Sequence, residues 1–224
     1  FFGNKWRTGT IDLDPSSTKR SAGVTVFNAA DQSYRDFIIW KIDKFMRETG
    51  YDTQYHDNSF PYSSALPSTG MGFEKNGVRY PSFNILATRE LCRRNRAVML
   101  DYRSDYISMA HMSGRVWTPI LTYDDLMLFG ENYRGTVKDT YCDGIIPMDK
   151  FRAEYMGRQW GLIPVMLMEP QKPYWRTEKT TRGIFTLAQL HDTFIWPSRG
   201  NIHVFNESTD HLSRFGYEDA EFIP

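Results

Sequence analysis

Apolar residues recur on one helical face at Phe37, Ile38, Trp40, Ile42, Phe45 and Met46. With Asp31 or Ser33 as cap and Gly50 as stop, they predict a helix running to about Thr49. Gly50 leads at once into a strand over 51–55, the αβ step of a βαβ unit. A long loop rich in Pro, Ser, Gly and Tyr follows from Asn58 to Pro81, and then a helix from about Ser82 to Leu100 carrying Ile85, Leu86, Leu91 and Val98. Further strands are expected over 106–110, 126–129 and 162–168. Pro147 opens another helix, Phe185 to Leu190 reads as a last one, and Phe194, Ile195 and Trp196 form a buried strand or turn. Residues 1–23 read as loop and 24–27 as a short strand, while the tail beyond Pro197 has too little periodicity to assign.

Strands alternating with helices argue for an α/β fold with a parallel sheet. There are four or five βα units, whereas a complete barrel has eight and usually needs ~250 residues. The expected fold is therefore a (β/α) TIM-barrel segment with parallel strands, incomplete in this chain. Residues 1–224 are expected to form one barrel-type domain, the later part of a longer catalytic domain. The opening Phe1-Phe2-Gly3, without Met, agrees with that expectation.

Four of the strands stop at, or just before, a residue able to do acid–base chemistry. The first runs into His56, Asp57 and Asn58; the next ends at His111; another passes through Gly130 to Glu131; the most apolar ends at Glu169. A carboxylate or imidazole costs too much to bury inside a parallel sheet, so it collects where the strand emerges. In (β/α) barrels that C-terminal rim is where active sites form.

Composition narrows the chemistry. Lys+Arg and Asp+Glu are equal at 27 each, and the densest basic cluster, Arg93-Arg94-Asn95-Arg96, reads as a solvated helix face. A nucleic-acid partner is not expected. Aromatics make up 15% of the chain, with 13 Tyr and 6 Trp. Such rings offer a flat apolar face and a polar edge, which suits sugars as well as a Tyr-rich core. Cys92 and Cys142 lie in no metal-ligand spacing and are either a disulfide or two buried thiols. No apolar run is long enough to span a membrane. Asn206-Glu207-Ser208 fits a glycosylation triplet, too common to carry weight.

Glu131, behind a glycine and beside Asn132 and Tyr133, is the candidate general acid; a salt bridge to Arg134 or Arg115 is the structural alternative. Asp57 is the candidate nucleophile, general base or orienter of a substrate hydroxyl, or else a loop-capping Asp. His56, Asn58, Tyr62, His111, Trp117, Tyr133 and Glu169 are the candidate substrate-binding residues, with Tyr62 in the long loop as the sugar-stacking ring. That loop is expected to fold over the rim. Glu169 reads equally as an ion-pair partner, and His111 as a satisfied structural histidine. No spacing resembles a zinc or iron site, no GxSxG, phosphate-binding loop or HExxH occurs, and no cofactor or metal is expected. Two separated carboxylates over a rim with aromatic platforms fit glycoside hydrolysis.

The stretch Gly50-Tyr51-Asp52-Thr53-Gln54-Tyr55-His56-Asp57-Asn58 resembles the strand-end pattern G-x-D-x-x-Y-x-D-N of large bacterial glycoside-hydrolase-like barrels. His111-Met112-Ser113-Gly114 and Gly130-Glu131-Asn132-Tyr133 are similar to further strand ends of the same group. The resemblance covers roughly 24–170, and the nearest named family is the glycoside hydrolase family 123-like set. That family uses an adjacent Asp-Glu pair with help from the substrate's acetamido group. No Asp-Glu dipeptide occurs here, so that chemistry is not carried over. The resemblance implies a barrel and a carbohydrate ligand. The functional expectation is a glycosidase acting on a complex glycan, secreted or periplasmic. The alternative is a non-catalytic carbohydrate-binding or structural barrel in a larger extracellular assembly, completed by the rest of its own barrel or by a partner chain.

Overall fold

A computed structural model describes residues 7–11, 24–112, 116–133, 146–158, 161–170 and 172–223. The strands in chain order are β1 (Arg7–Ile11), β2 (Val24–Phe27), β3 (Thr53–His56), β4 (Ser63–Ser64), β5 (Phe73–Lys75) and β6 (Val78–Tyr80). They continue with β7 (Ser82–Phe83), β8 (Ile107–His111), β9 (Leu126–Phe129), β10 (Ile163–Leu167) and β11 (Phe194–Trp196). The α-helices are α1 (Gln32–Thr49), α2 (Ile85–Tyr102), α3 (Thr118–Leu121), α4 (Met148–Tyr155), α5 (Glu178–Gln189) and α6 (Ile202–Phe215). None of the described helices is long and apolar enough to cross a membrane. The chain divides into two compact units, one of residues 1–53 and 60–106 and the other of 54–59 and 107–224.

In the first unit α1 begins where Asp31 accepts a hydrogen bond from the Tyr34 N–H at 3.1 Å. It ends at Gly50, whose φ of 66° lets the chain turn left-handed. Met46 on α1 and Met99 on α2 are buried with Tyr106, and Ile42 packs against them. Arg94 donates to Asp36 at 2.6 Å and Tyr102 to Asp43 at 2.7 Å, tying the two helices at their exposed edges. The apolar face expected of α1 is buried only along this seam. Phe37, Trp40 and Phe45 remain exposed, because the single neighbouring helix covers only the stripe that carries Ile38, Ile39, Ile42 and Met46.

Two stretches that read as loop carry structure. Arg7–Ile11 is a strand, paired antiparallel with β2; its Arg-Thr-Gly-Thr-Ile sequence has no apolar alternation to reveal it. β2 therefore belongs to this pair and not to the parallel sheet. The stretch from Asn58 to Pro81 contains a one-turn helix at Pro67–Thr69 and three of the short strands. β5 and β6 form a hairpin closed by Asn76 and Gly77, with φ of 54° and 73°. That is the two-residue left-handed turn for which Asn-Gly is the strongest sequence signal. β4 pairs with β7, so Ser82 and Phe83 are drawn into a strand and α2 starts at Ile85, later than its apolar pattern suggests.

The second unit is built on a five-stranded parallel sheet whose spatial order, β3-β8-β9-β10-β11, is the chain order. The sheet is open, with β3 and β11 at its edges. Register pairs Met109 with Leu126 and His111 with Leu128, Ile163 with Leu126 and Val165 with Leu128, and Leu167 with Trp196. Residues in register share a face. One face therefore carries His111, Leu128, Val165, Leu167 and Trp196, and Leu128, Val165 and Leu167 form a cluster with Met109 and Leu126. The other carries Met127, Phe129 and Met166; on it Phe129 packs on Tyr155 of α4, ring centroids 5.6 Å apart.

The helices that cover this sheet are longer than the sequence signals indicate. α5 starts at Glu178, where Thr177 caps the Thr180 N–H at 3.1 Å, seven residues before the apolar run at Phe185. α6 occupies the unassigned tail between an Asn201 cap and a left-handed Gly216. Only Val204 of α6 is buried, although the apolar residues of this helix do gather on one side. Cys142, and with it the thiol pairing, lies outside the described residues, as do Ser113, Gly114, Arg115 and Arg134.

Candidate active site

All five strands run the same way, so His56, His111, Glu131, Glu169 and Trp196 lie at or beyond one end of the sheet. In open α/β sheets that carboxyl end is where ligands bind. After β3 the chain turns through Asn58, held left-handed at φ 54°. The Ser59 hydroxyl donates to the His56 carbonyl at 2.7 Å, and the Ser59 N–H to the His111 carbonyl at 3.2 Å. These two bonds clip the turn to the end of β8 and bring Asp57 over His111.

The site centres on the His111 imidazole. Its Nδ1 lies 3.0 Å from Asp57 Oδ1 and 2.6 Å from the Tyr55 hydroxyl. Its Nε2 faces Glu131 Oε2 at 3.8 Å, a close approach but too long for a hydrogen bond. With its proton on Nδ1 the ring donates to Asp57; with the proton on Nε2, Nδ1 accepts from the Tyr55 hydroxyl. The His111 side chain is 9% exposed, Glu131 32% and Asp57 59%, so a buried imidazole forms the floor between two open carboxylates. The Asn58 amide donates to the second Asp57 oxygen at 3.1 Å.

Tyr55 precedes Asp57 by two residues and is a fixed position of the strand-end pattern, though not among the candidate site residues. Its pKa is pushed up to about 12, first by burial, then by the charge of Asp57 and the hydrogen bond to it, and last by the charge of Glu131. The phenol is therefore a neutral donor at ordinary pH. Its ring lies 6.2 Å from that of Trp196, centroid to centroid, and both rings are nearly half exposed. Trp196 too was legible only as a strand end. Together they give the site an aromatic wall.

Gly130 explains how Glu131 reaches this position. Its φ is 140°, and a Cβ there would stand 2.7 Å from the Leu167 carbonyl oxygen of β10. Only glycine lets the chain leave β9 so close to its neighbour.

The remaining candidates are engaged elsewhere. His56 alternates with Tyr55, and its Nδ1 meets the buried Asp124 carboxylate at 3.1 Å. Tyr133 is buried and donates to Glu154 at 2.7 Å. Glu169 is buried against Arg199, 3.0 Å away, which matches its reading as an ion-pair partner. The Trp117 carbonyl starts α3 by accepting from Ile120 and Leu121. Tyr62 belongs to the first unit, where its N–H donates to Asn84 at 3.0 Å and its ring packs 5.1 Å from that of Phe60. The Asn132 side chain lies outside the described residues.

Among the described residues no three His, Cys, Asp or Glu side chains gather as a metal site requires. Asp57 and Glu131 address different nitrogens of His111 and so share no common ligand point with it. No family model, curated protein or solved structure matches the chain.

Proposed function

We propose that the chain hydrolyses a glycosidic bond of a complex glycan at the Asp57–His111–Glu131 constellation. The observation that carries this reading is the imidazole bridging two carboxylates, through Nδ1 at 3.0 Å and Nε2 at 3.8 Å. Two carboxylate oxygens held on either side of one imidazole stand no more than about 9 Å apart, a bound that admits both the ~5–5.5 Å of retaining and the ~6.5–9.5 Å of inverting glycosidases.

In this reading Glu131 gives its proton to the leaving oxygen as the glycosidic C–O bond breaks. Asp57 takes a proton from the water that attacks the anomeric carbon from the opposite face. Tyr55 and the Asn58 amide hold the Asp57 carboxylate in place, and His111 sets the distance between the two acids. Tyr55 and Trp196, their ring planes 53° apart, supply aromatic faces against which a sugar ring can stack. The fold agrees with the reading: five parallel strands in chain order, curled until rings from both edges meet, are what a segment of a (β/α) barrel would present. The resemblance of residues 50–58 to strand ends of family 123-like barrels adds to this, although the acids proposed here are not that family's adjacent pair.

The test is release of reducing ends from a panel of purified polysaccharides and p-nitrophenyl glycosides, with the product anomer followed by proton NMR. Asp57→Asn and Glu131→Gln should each lower turnover by ~10²–10⁴-fold. Saturable glycan binding with no release by the unaltered chain would replace this reading by a non-catalytic sugar-binding one. Neither release nor binding would remove both.

A further inference from the structure

The second unit holds a hollow remote from the strand ends. It opens between α5, α6, the start of β11 and the turn at Tyr217–Asp219, has a volume of about 200 Å³ and is partly open to solvent. That is below the ~300–1,000 Å³ usual for drug-sized ligands, so only a guest of a few heavy atoms fits. Its walls are apolar: Phe185 and Phe205 meet edge to face with centroids 5.5 Å apart, and Ile195 closes the sheet side. The charged groups among its described lining residues are of one sign. Asp192 and Glu218 line the hollow, and no Lys, Arg or His is among its described lining residues.

We infer that this hollow binds a small organic ammonium ion, held by ring faces of Phe205 and Tyr217 and by the carboxylates of Asp192 and Glu218. The Ser213 hydroxyl donates to Glu218 at 2.5 Å and holds its carboxyl below the ordinary range, so Glu218 is charged at neutral pH. The Tyr217 hydroxyl donates to the Gln189 carbonyl at 3.3 Å, which anchors the ring at the mouth. Burial and then the Asp192 charge raise the Tyr217 phenol. Aromatic faces attract cations through their quadrupole, and more strongly where water is excluded. A neutral apolar guest would make no use of the two carboxylates, of which Glu218 is exposed and Asp192 half-buried. A small hydrated metal ion would leave the apolar walls unused. A cation carried on alkyl groups satisfies both.

Asp192 offers a clean variant. It holds φ at 50° in the turn from α5 to β11, a conformation Asn adopts as readily. Asp192→Asn therefore removes the charge and keeps the turn. The experiment is an NMR and calorimetric titration of the whole chain with choline and with its neutral isostere 3,3-dimethylbutan-1-ol. Choline should bind saturably, shift the Phe185, Phe205 and Tyr217 ring resonances, and exceed the isostere by roughly 10-fold or more. The Asp192→Asn/Glu218→Gln double variant should lose roughly 10-fold or more of the choline affinity and none of the isostere's. Equal binding of the two compounds, choline affinity unchanged in the double variant, or no saturable choline binding at millimolar concentration overturns the inference.

Discussion

Tyr55 of β3 and Trp196 of β11 stand on the two edge strands of the five-stranded sheet, yet their ring centroids are 6.2 Å apart. In a flat sheet the backbones of the first and fifth strands would be about 19 Å apart, with side chains pointing along parallel normals. The rings can meet only because the sheet curls around the face that carries His111, Leu128 and Leu167. The curl turns an edge-to-edge span into a concave site with an aromatic wall.

If that wall receives sugar, Trp196→Ala should weaken glycan binding by ~1–3 kcal/mol, the range for aromatic stacking on a flat ring. Calorimetric titration with the best glycan from the hydrolysis panel measures this. An unchanged affinity would take Trp196 out of the site.

His111 is expected to act by positioning. His111→Ala should lower kcat by ~10²-fold or more and leave KM nearly unchanged, because both acids lose the ring that sets their separation. His111→Asn, whose amide can still reach Asp57 but not Glu131, should recover only part of the loss. Equal kcat for the Ala and Asn variants would mean that the Asp57 contact contributes nothing.

Alkaline pH provides a test that needs no substrate. Folding raises the Tyr55 phenol from its ordinary value of 10.0 to about 12. The folded state therefore keeps a proton that the unfolded chain releases. The stability owed to Tyr55 is complete below pH 10.0 and is lost as pH rises towards about 12. Ultraviolet titration should find one tyrosine ionising late, and Tyr55→Phe should flatten the fall in urea midpoint over that window. A Tyr55→Phe curve that falls in parallel with the unaltered protein would refute the coupling.

Gly130 and Gly77 should respond differently to alanine. Gly77 has a φ of 73° and nothing within 4 Å, so alanine there adds backbone strain alone, ~1–2 kcal/mol. Gly130 adds a clash at 2.7 Å with a backbone oxygen that cannot step aside. Gly130→Ala should cost ~1–3 kcal/mol beyond the strain, and should shift Glu131 away from His111. Urea denaturation of the two variants decides it; similar losses would mean that β9 and β10 separate easily.

The amino-acid sequence by itself determined the local units. Period and punctuation marked α1 between Asp31 and Gly50, and the apolar runs marked β9 and β10 to within a residue. The cost of burying charge placed Asp57, His111 and Glu131 at strand ends. β1 is illegible because its sequence is polar, whereas α6 carries an apolar side that the sequence does show. Tertiary structure alone decided which strand-end groups meet. Asp57 and His111 are 54 residues apart, and nothing local to either one names the other. The same holds for Glu169, drawn to Arg199, and for Tyr133, drawn to Glu154. Residue type states what a side chain can do; the curl and register of the sheet choose its partner, because those depend on packing summed over strands far apart in the chain.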